Sequence, residues 1–156
     1  MKKSAAKSKP GVVRHYTQTA PQTLQVAEPA ATADYTPTTL LNELRRGLPF
    51  AELEVLQESL DVPMEKLAPL LGISKATLHR RKAAGRLDSA ESDRVVRYAR
   101  LLGLASQVLA TPENARLWLS TPKQALGGAV PLHYAETEFG AREVEDLLGR
   151  IEYGVY

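Results

Sequence analysis

Leu67-Ala68-Pro69-Leu70-Leu71-Gly72-Ile73-Ser74-Lys75-Ala76-Thr77-Leu78-His79-Arg80-Arg81-Lys82 decides how the rest of this 156-residue chain is read. The spacing is that of two short helices joined by a tight turn. Ala68 is small where the helices must cross closely, and Gly72 supplies the positive φ that the turn requires. Ile73 and Leu78 are apolar where the second helix packs on the first. Ser74 can cap that second helix, leaving its positive dipole end and free N–H groups aimed outward at an anion. With Leu78 held inward, Lys75, Ala76, His79, Arg80 and Lys82 point outward, a set that fits the major groove of DNA. Candidate DNA-contacting residues are therefore Ser74, Lys75, Ala76, Thr77, His79, Arg80, Arg81 and Lys82. Arg81 stands where such motifs commonly carry an apolar residue, so it either reaches a phosphate or pairs with a neighbouring acid. Pro69 fits only if its helix begins near Lys66, which puts the proline in the first turn.

Charge supports the same reading. Net charge is only +2, but residues 74–100 hold eight cations against Asp88, Glu91 and Asp93, and residues 1–15 hold five cations and no anion. The flanking stretches 41–73 and 101–156 are acidic. A basic middle and basic tail between acidic flanks imply a polyanion for the first and a different partner for the rest.

Outward from the motif, helices are marked by their punctuation. Thr39 can cap a short helix ending at Gly47, and Leu53, Leu56 and Leu60 repeat behind Pro49. Asp88 with Glu91 three residues on is a capping box for the longest helix, on which Val95, Tyr98, Leu102, Ala105 and Leu109 form a stripe at spacings of three and four. Such a stripe serves as a domain spine or a dimer seam. Thr111-Pro112 and Thr121-Pro122 each have the form of an N-cap and first-turn proline, and Trp118 between them is expected in the core. Gly127-Gly128 makes a turn, Pro131 opens a short segment, and Thr137 caps a last helix bearing Val144, Leu147, Leu148 and Ile151. No strand is expected. Residues 1–39 are rich in Ala, Thr, Pro and Ser and poor in large aliphatics, the composition of a flexible tail, with Tyr16 and Tyr35 as possible anchors.

Most enzyme classes lose their usual residues. The chain has no cysteine, and His15, His79 and His133 lie in three unrelated segments without metal-ligand spacing. There is no phosphate-cradling glycine loop and no nucleophile elbow. No enzymatic activity, cofactor or metal is expected. No apolar run approaches the ~20 residues that span a bilayer, and the first residues do not form a signal peptide. The expected place is the cytoplasm, with no membrane partner.

Five segments in order carry a resemblance. They are residues 71–82 above; Arg94-Val95-Val96-Arg97-Tyr98-Ala99-Arg100; Ala115-Arg116-Leu117-Trp118-Leu119; Leu126-Gly127-Gly128 with Pro131; and residues 144–154, from Val144 through Leu147-Leu148-Gly149-Arg150 to Tyr153-Gly154. Together they make residues 50–156 resemble antitoxins of the Xre/MbcA/ParS type, partners of RES-domain toxins. The resemblance implies an all-α chain, with an Xre-like helix-turn-helix domain over residues 40–90 and a helical dimerisation and toxin-binding domain over residues 91–156. It also implies a cognate RES-domain toxin that consumes NAD, operator DNA as second partner, a homodimer within a larger complex, and repression of the chain's own operon. The toxin-binding residues expected are Arg150, Glu152, Tyr153, Gly154, Val155 and Tyr156, with the anionic end covering the toxin's cleft. The alternative is a regulator whose C-terminal half answers a small ligand or only dimerises.

Overall fold

The computed structural model describes residues 11–17 and 36–154. Within them the chain is helical throughout: α1 (Val12–Thr17), α2 (Pro37–Arg46), α3 (Phe50–Leu60), α4 (Met64–Leu70), α5 (Lys75–Ala84), α6 (Ser89–Val108), α7 (Pro112–Ser120), α8 (Pro131–Tyr134) and α9 (Glu138–Glu152). Two isolated bridges, Pro49 with Arg86 and Lys123 with Ala129, are the extended pairings among the described residues. This is the expected all-α class, with the helix-turn-helix preceding the second helical region.

α6 is the spine. Asp88 accepts from the Glu91 N–H while the Glu91 carboxylate accepts from the Asp88 N–H, so the capping box closes from both sides. Val95, Tyr98, Leu101, Leu102 and Ala105 are buried and belong to one apolar cluster that takes in α3, α4, α7 and α9. Full burial of a side chain such as Leu102 contributes on the order of 1.5–3 kcal/mol. The stripe anticipated as a possible dimer seam is thus consumed inside the chain; it serves as the spine.

The reading of residues 1–39 as a flexible tail is corrected at α1. Val13 is fully buried and Val12 nearly so, and the Val13 N–H donates to the Glu52 carboxylate at 2.8 Å. α1 crosses α6 at Gly103, where a Cβ would stand 2.0 Å from the Tyr16 carbonyl oxygen. The polar composition of the whole segment concealed two adjacent valines that suffice for one short docked turn. Tyr16 packs against the core as an anchor, whereas Tyr35 and residues 1–10 and 18–35 lie outside the described residues.

Four local expectations also change. Thr36, not Thr39, caps α2, accepting from the Thr39 N–H with Pro37 in the first turn. Pro69 lies near the end of α4, not in its first turn, because the helix already begins at Met64 behind Pro63; it costs one i−4 hydrogen bond on an exposed position. Thr121-Pro122 starts no helix: Thr121 ends α7 in an extended conformation, and only a 3-10 turn at Gln124–Leu126 follows. Trp118 is half-buried, with the Lys123 ammonium 5.0 Å from its ring centre, while Leu119 takes the core position and Leu117 is exposed. On a nine-residue helix only one narrow face meets the core, and Ala115 with Leu119 occupies it.

Thr137 caps α9 by accepting from the Gly140 N–H. The capping-box acid is absent there because a Cβ at Gly140 would lie only 1.7 Å from the Tyr134 carbonyl oxygen. No helix among the described residues is long and apolar enough to cross a membrane.

Tyr98 ties α6 to α8: its buried hydroxyl donates to the Leu132 carbonyl at 2.8 Å. Burial, reinforced by the Glu136 charge, pushes the phenol well above its ordinary value. Above about pH 10 the unfolded chain sheds this proton while the folded chain keeps it, so stability falls as pH rises. Tyr98→Phe is expected to cost about 1 kcal/mol at neutral pH in urea unfolding and to flatten the alkaline decline. An unchanged alkaline decline in the variant would contradict the assignment.

Candidate nucleic-acid interface and the exposed face of the last helix

The turn between α4 and α5 forms as its residue types require. Gly72 has φ +68°, Ile73 is buried, and the Ile73 N–H reaches back to the Ala68 carbonyl at 2.9 Å. Ser74 accepts from the Thr77 N–H at 3.2 Å and begins α5, and Gly85 ends it in a left-handed conformation. Arg94 of α6 secures the turn, donating to the Leu71 carbonyl at 3.0 Å.

α5 has no fully buried residue. Lys75, Ala76, His79, Arg80 and Lys82 are exposed, and Leu78 is half-buried against α4. Thr77 is half-buried, its hydroxyl held by Ser74 Oγ at 3.0 Å and by Arg80 Nη2 at 3.1 Å. That chain of contacts steadies the Arg80 guanidinium near the amino end of α5. Arg81 turns the other way. Its Nε donates to Glu91 Oε2 at 2.9 Å and its Nη2 to Asp88 Oδ2 at 3.1 Å, and the Glu91 hydrogen bond, with both carboxylate charges, raises its already high pKa. Of the two roles left open for Arg81, the neighbouring acids hold it.

The basic stretch 74–100 is therefore not one patch. Arg86 donates to the Gly47 carbonyl, Arg97 to Glu138 and the Glu136 carbonyl, and Arg100 to Glu145, in addition to Arg81 and Arg94. Among the described residues, Lys75, Arg80 and Lys82 make no ion pair, and all three lie on α5. Clustering in sequence did not distinguish these cations; packing sorted those left exposed on α5 from those that brace the helices.

α9 presents a second surface. Val144 and Leu148 face the core, while Phe139 is 71% and Tyr153 80% exposed. Arg142, Asp146 and Arg150 lie exposed between them at helical spacing, so an aromatic stands at each end of a stripe about 21 Å long at 1.5 Å per residue. Arg150, Glu152, Tyr153 and Gly154 are all exposed at the end of this helix, well apart in sequence and fold from α5; Val155 and Tyr156 lie outside the described residues. Phe139 was missed from the sequence, although its spacing to Arg142, Asp146, Arg150 and Tyr153 marks the side opposite Val144 and Leu148. Glu145, on the flank toward α6, pairs with Arg100 at 3.2 Å.

Fold and surfaces define a helix-turn-helix protein with a second helical binding region. Residues 40–100 match the antitoxin Xre-like helix-turn-helix domain, and residues 104–154 match the antitoxin Xre/MbcA/ParS C-terminal toxin-binding domain. The two matches meet inside α6. The chain is 31% identical over 121 residues to an Antitoxin Xre of Yersinia enterocolitica, covering 76% of this chain and 82% of that protein. It is 29% identical over 114 residues to an Antitoxin Xre of Photorhabdus laumondii, covering 72% and 77%. To the Prs ADP-ribosylating antitoxin of a Sphingobium species it is 25% identical over 130 residues, covering 77% and 82%. The chain belongs to the Xre antitoxin family, and it is the antitoxin of a toxin–antitoxin system with a DNA-binding helix-turn-helix.

Arg81→Ala is expected to lower the melting temperature and weaken DNA binding without changing its salt dependence, because Arg81 orients α5 rather than touching phosphate. A reduced salt slope with unchanged melting would reverse that assignment.

Proposed function

We propose that this antitoxin neutralises a cognate NAD-consuming RES-domain toxin with the carboxyl end of α9, and represses its own operon through α5. The observation that carries the first half is the exposed stripe of α9, ending in Arg150, Glu152, Tyr153 and Gly154. A cleft built for a dinucleotide is electropositive, so Glu152 supplies an anion where the ligand's phosphates sit. Tyr153 supplies an aromatic anchor of the kind that dominates interface energetics. Val155 and Tyr156 extend the same contact in this reading. The chain itself carries no catalytic step; it acts by occupying the toxin.

The second half rests on Ser74, Lys75, Ala76, Thr77, His79, Arg80 and Lys82. Arg80 reads a base edge and Lys82 meets phosphate. One short helix gives little affinity alone, so the operator is bound by a homodimer, whose contact falls outside the buried stripe of α6.

The name of the Sphingobium relative supports a toxin that handles ADP-ribose from NAD, and leaves transfer to a protein as the alternative to hydrolysis. Co-expression with the product of the neighbouring gene, followed by co-purification and an NAD-consumption assay, tests neutralisation, since hydrolysis and transfer both consume NAD. A stable complex with suppressed NAD loss supports neutralisation. A chain that binds DNA but neither binds nor protects against that product would leave only a dimerising or ligand-responsive regulator.

Two variant sets probe the assignments. Deleting residues 154–156 together with Tyr153→Ala is expected to restore NAD consumption while part of the binding persists; full inhibition by this variant would exclude the plug. Arg80→Ala is expected to weaken operator binding by about 1–3 kcal/mol, whereas Lys82→Ala lowers the salt slope by about one. Gel shifts at several salt concentrations read both.

A further inference from the structure

We infer that Arg45 and Arg46 form a second DNA-backbone surface, contacting phosphates that flank the site read by α5, with Arg86 joining the end of α2 to the end of α5. This rests on the DNA-binding role of α5 and extends it to α2. On α5, Lys75, His79 and Lys82 recur at spacings of four and three on one exposed flank, and Arg86 follows four residues later, just past the Gly85 cap. Residues 48–50 and 85–87 are joined there by Leu87 N–H to Leu48 carbonyl and Phe50 N–H to Gly85 carbonyl, both 2.9 Å. Arg86 lies directly against Gly47: it donates to that carbonyl, and its Cγ would be 3.6 Å from a Cβ placed there. Arg45 and Arg46 are the two residues before Gly47, in the last turn of α2, and both are exposed.

The exposed end of α2, with Arg45 and Arg46, is therefore joined to the end of α5 through Gly47 and Arg86. Among the described residues neither Arg45 nor Arg46 has an ion pair; the nearest acid in sequence, Glu43, is half-buried and unpaired with them, and Asp88 is taken by Arg81. This contrasts with Arg81, Arg86, Arg94, Arg97 and Arg100, each spent on an internal acceptor. Two exposed guanidiniums without ion pairs suit phosphodiester oxygens, which position a protein on the duplex and carry no sequence information. The competing role is charge at the carboxyl end of α2, where cations complement the helix dipole. That role affects stability and leaves DNA untouched.

The test uses the full chain, and fluorescence anisotropy on a 30-base-pair duplex taken from upstream of its own coding sequence, with a scrambled duplex of equal length. Each phosphate contact contributes about 0.9 to the slope of log K against log salt. Arg45→Ala/Arg46→Ala is expected to make the slope shallower by about two per bound chain on both duplexes. The preference between duplexes should stay unchanged, and Arg45→Lys/Arg46→Lys should keep the slope. An unchanged slope in the alanine variant, with helix content retained, overturns the inference and leaves the dipole role. A lost preference at constant slope also overturns it, since the pair would then read bases. If the unaltered chain binds neither duplex, the DNA role of α5 falls, and this surface with it.

Discussion

The Glu91 carboxylate at the head of α6 joins the start of that helix to the placement of α5. It is almost fully buried, yet it accepts from the Asp88 N–H, closing the capping box, and from Arg81 Nε of α5. A buried carboxylate left without partners would be strongly destabilising. Helix start and helix placement are therefore one problem with one solution. The Leu48 N–H bound to Ser92 Oγ at 2.8 Å, with Ser92 in turn donating to the Asp88 carbonyl, brings the α2–α3 connection to the same point.

From that point α6 carries the consequence along its length. Arg94 holds the turn of the helix-turn-helix, Tyr98 holds α8, and Arg97 and Arg100 hold the start and middle of α9. The apolar core is continuous from the α3–α4 pair to α9. The two family matches meet within this helix, so the DNA-binding and toxin-binding regions share a beam instead of a hinge-like linker. Because α1 straps the same beam at Gly103, residues that look like part of a polar tail belong to the structure that supports both surfaces.

The arginines show how one residue type is divided between structure and recognition. A guanidinium offers five donors in a planar fork, so it can satisfy a carbonyl or carboxylate inside the fold as readily as a phosphate outside. On α6 the arginines are placed where acceptors from other helices converge. On α5 the inward side offers acids to Arg81 alone, and Arg80, Lys75 and Lys82 are left to solvent.

The sequence by itself determined the elements whose cause is local. Ser74 and Gly85 bounding α5, the Asp88–Glu91 box, the positive φ at Gly72 and the Thr137 cap all follow from backbone chemistry within a few residues, and each is where its residues predict. The inward Leu78 and outward Lys75, Arg80 and Lys82 follow from helical phase, and the order of five short segments was enough to indicate the family. Tertiary structure decided the rest, because partners distant in sequence compete for the same side chain. Arg81 went to Glu91 because that acid is buried beside it; Trp118 ceded the core to Leu119 because α7 meets its neighbours along one narrow face. Two valines of α1 were buried because Gly103 leaves room for the crossing. Helical periodicity reports which side of a helix is apolar; which neighbour covers it, and which charge is consumed there, is settled only when the helices pack.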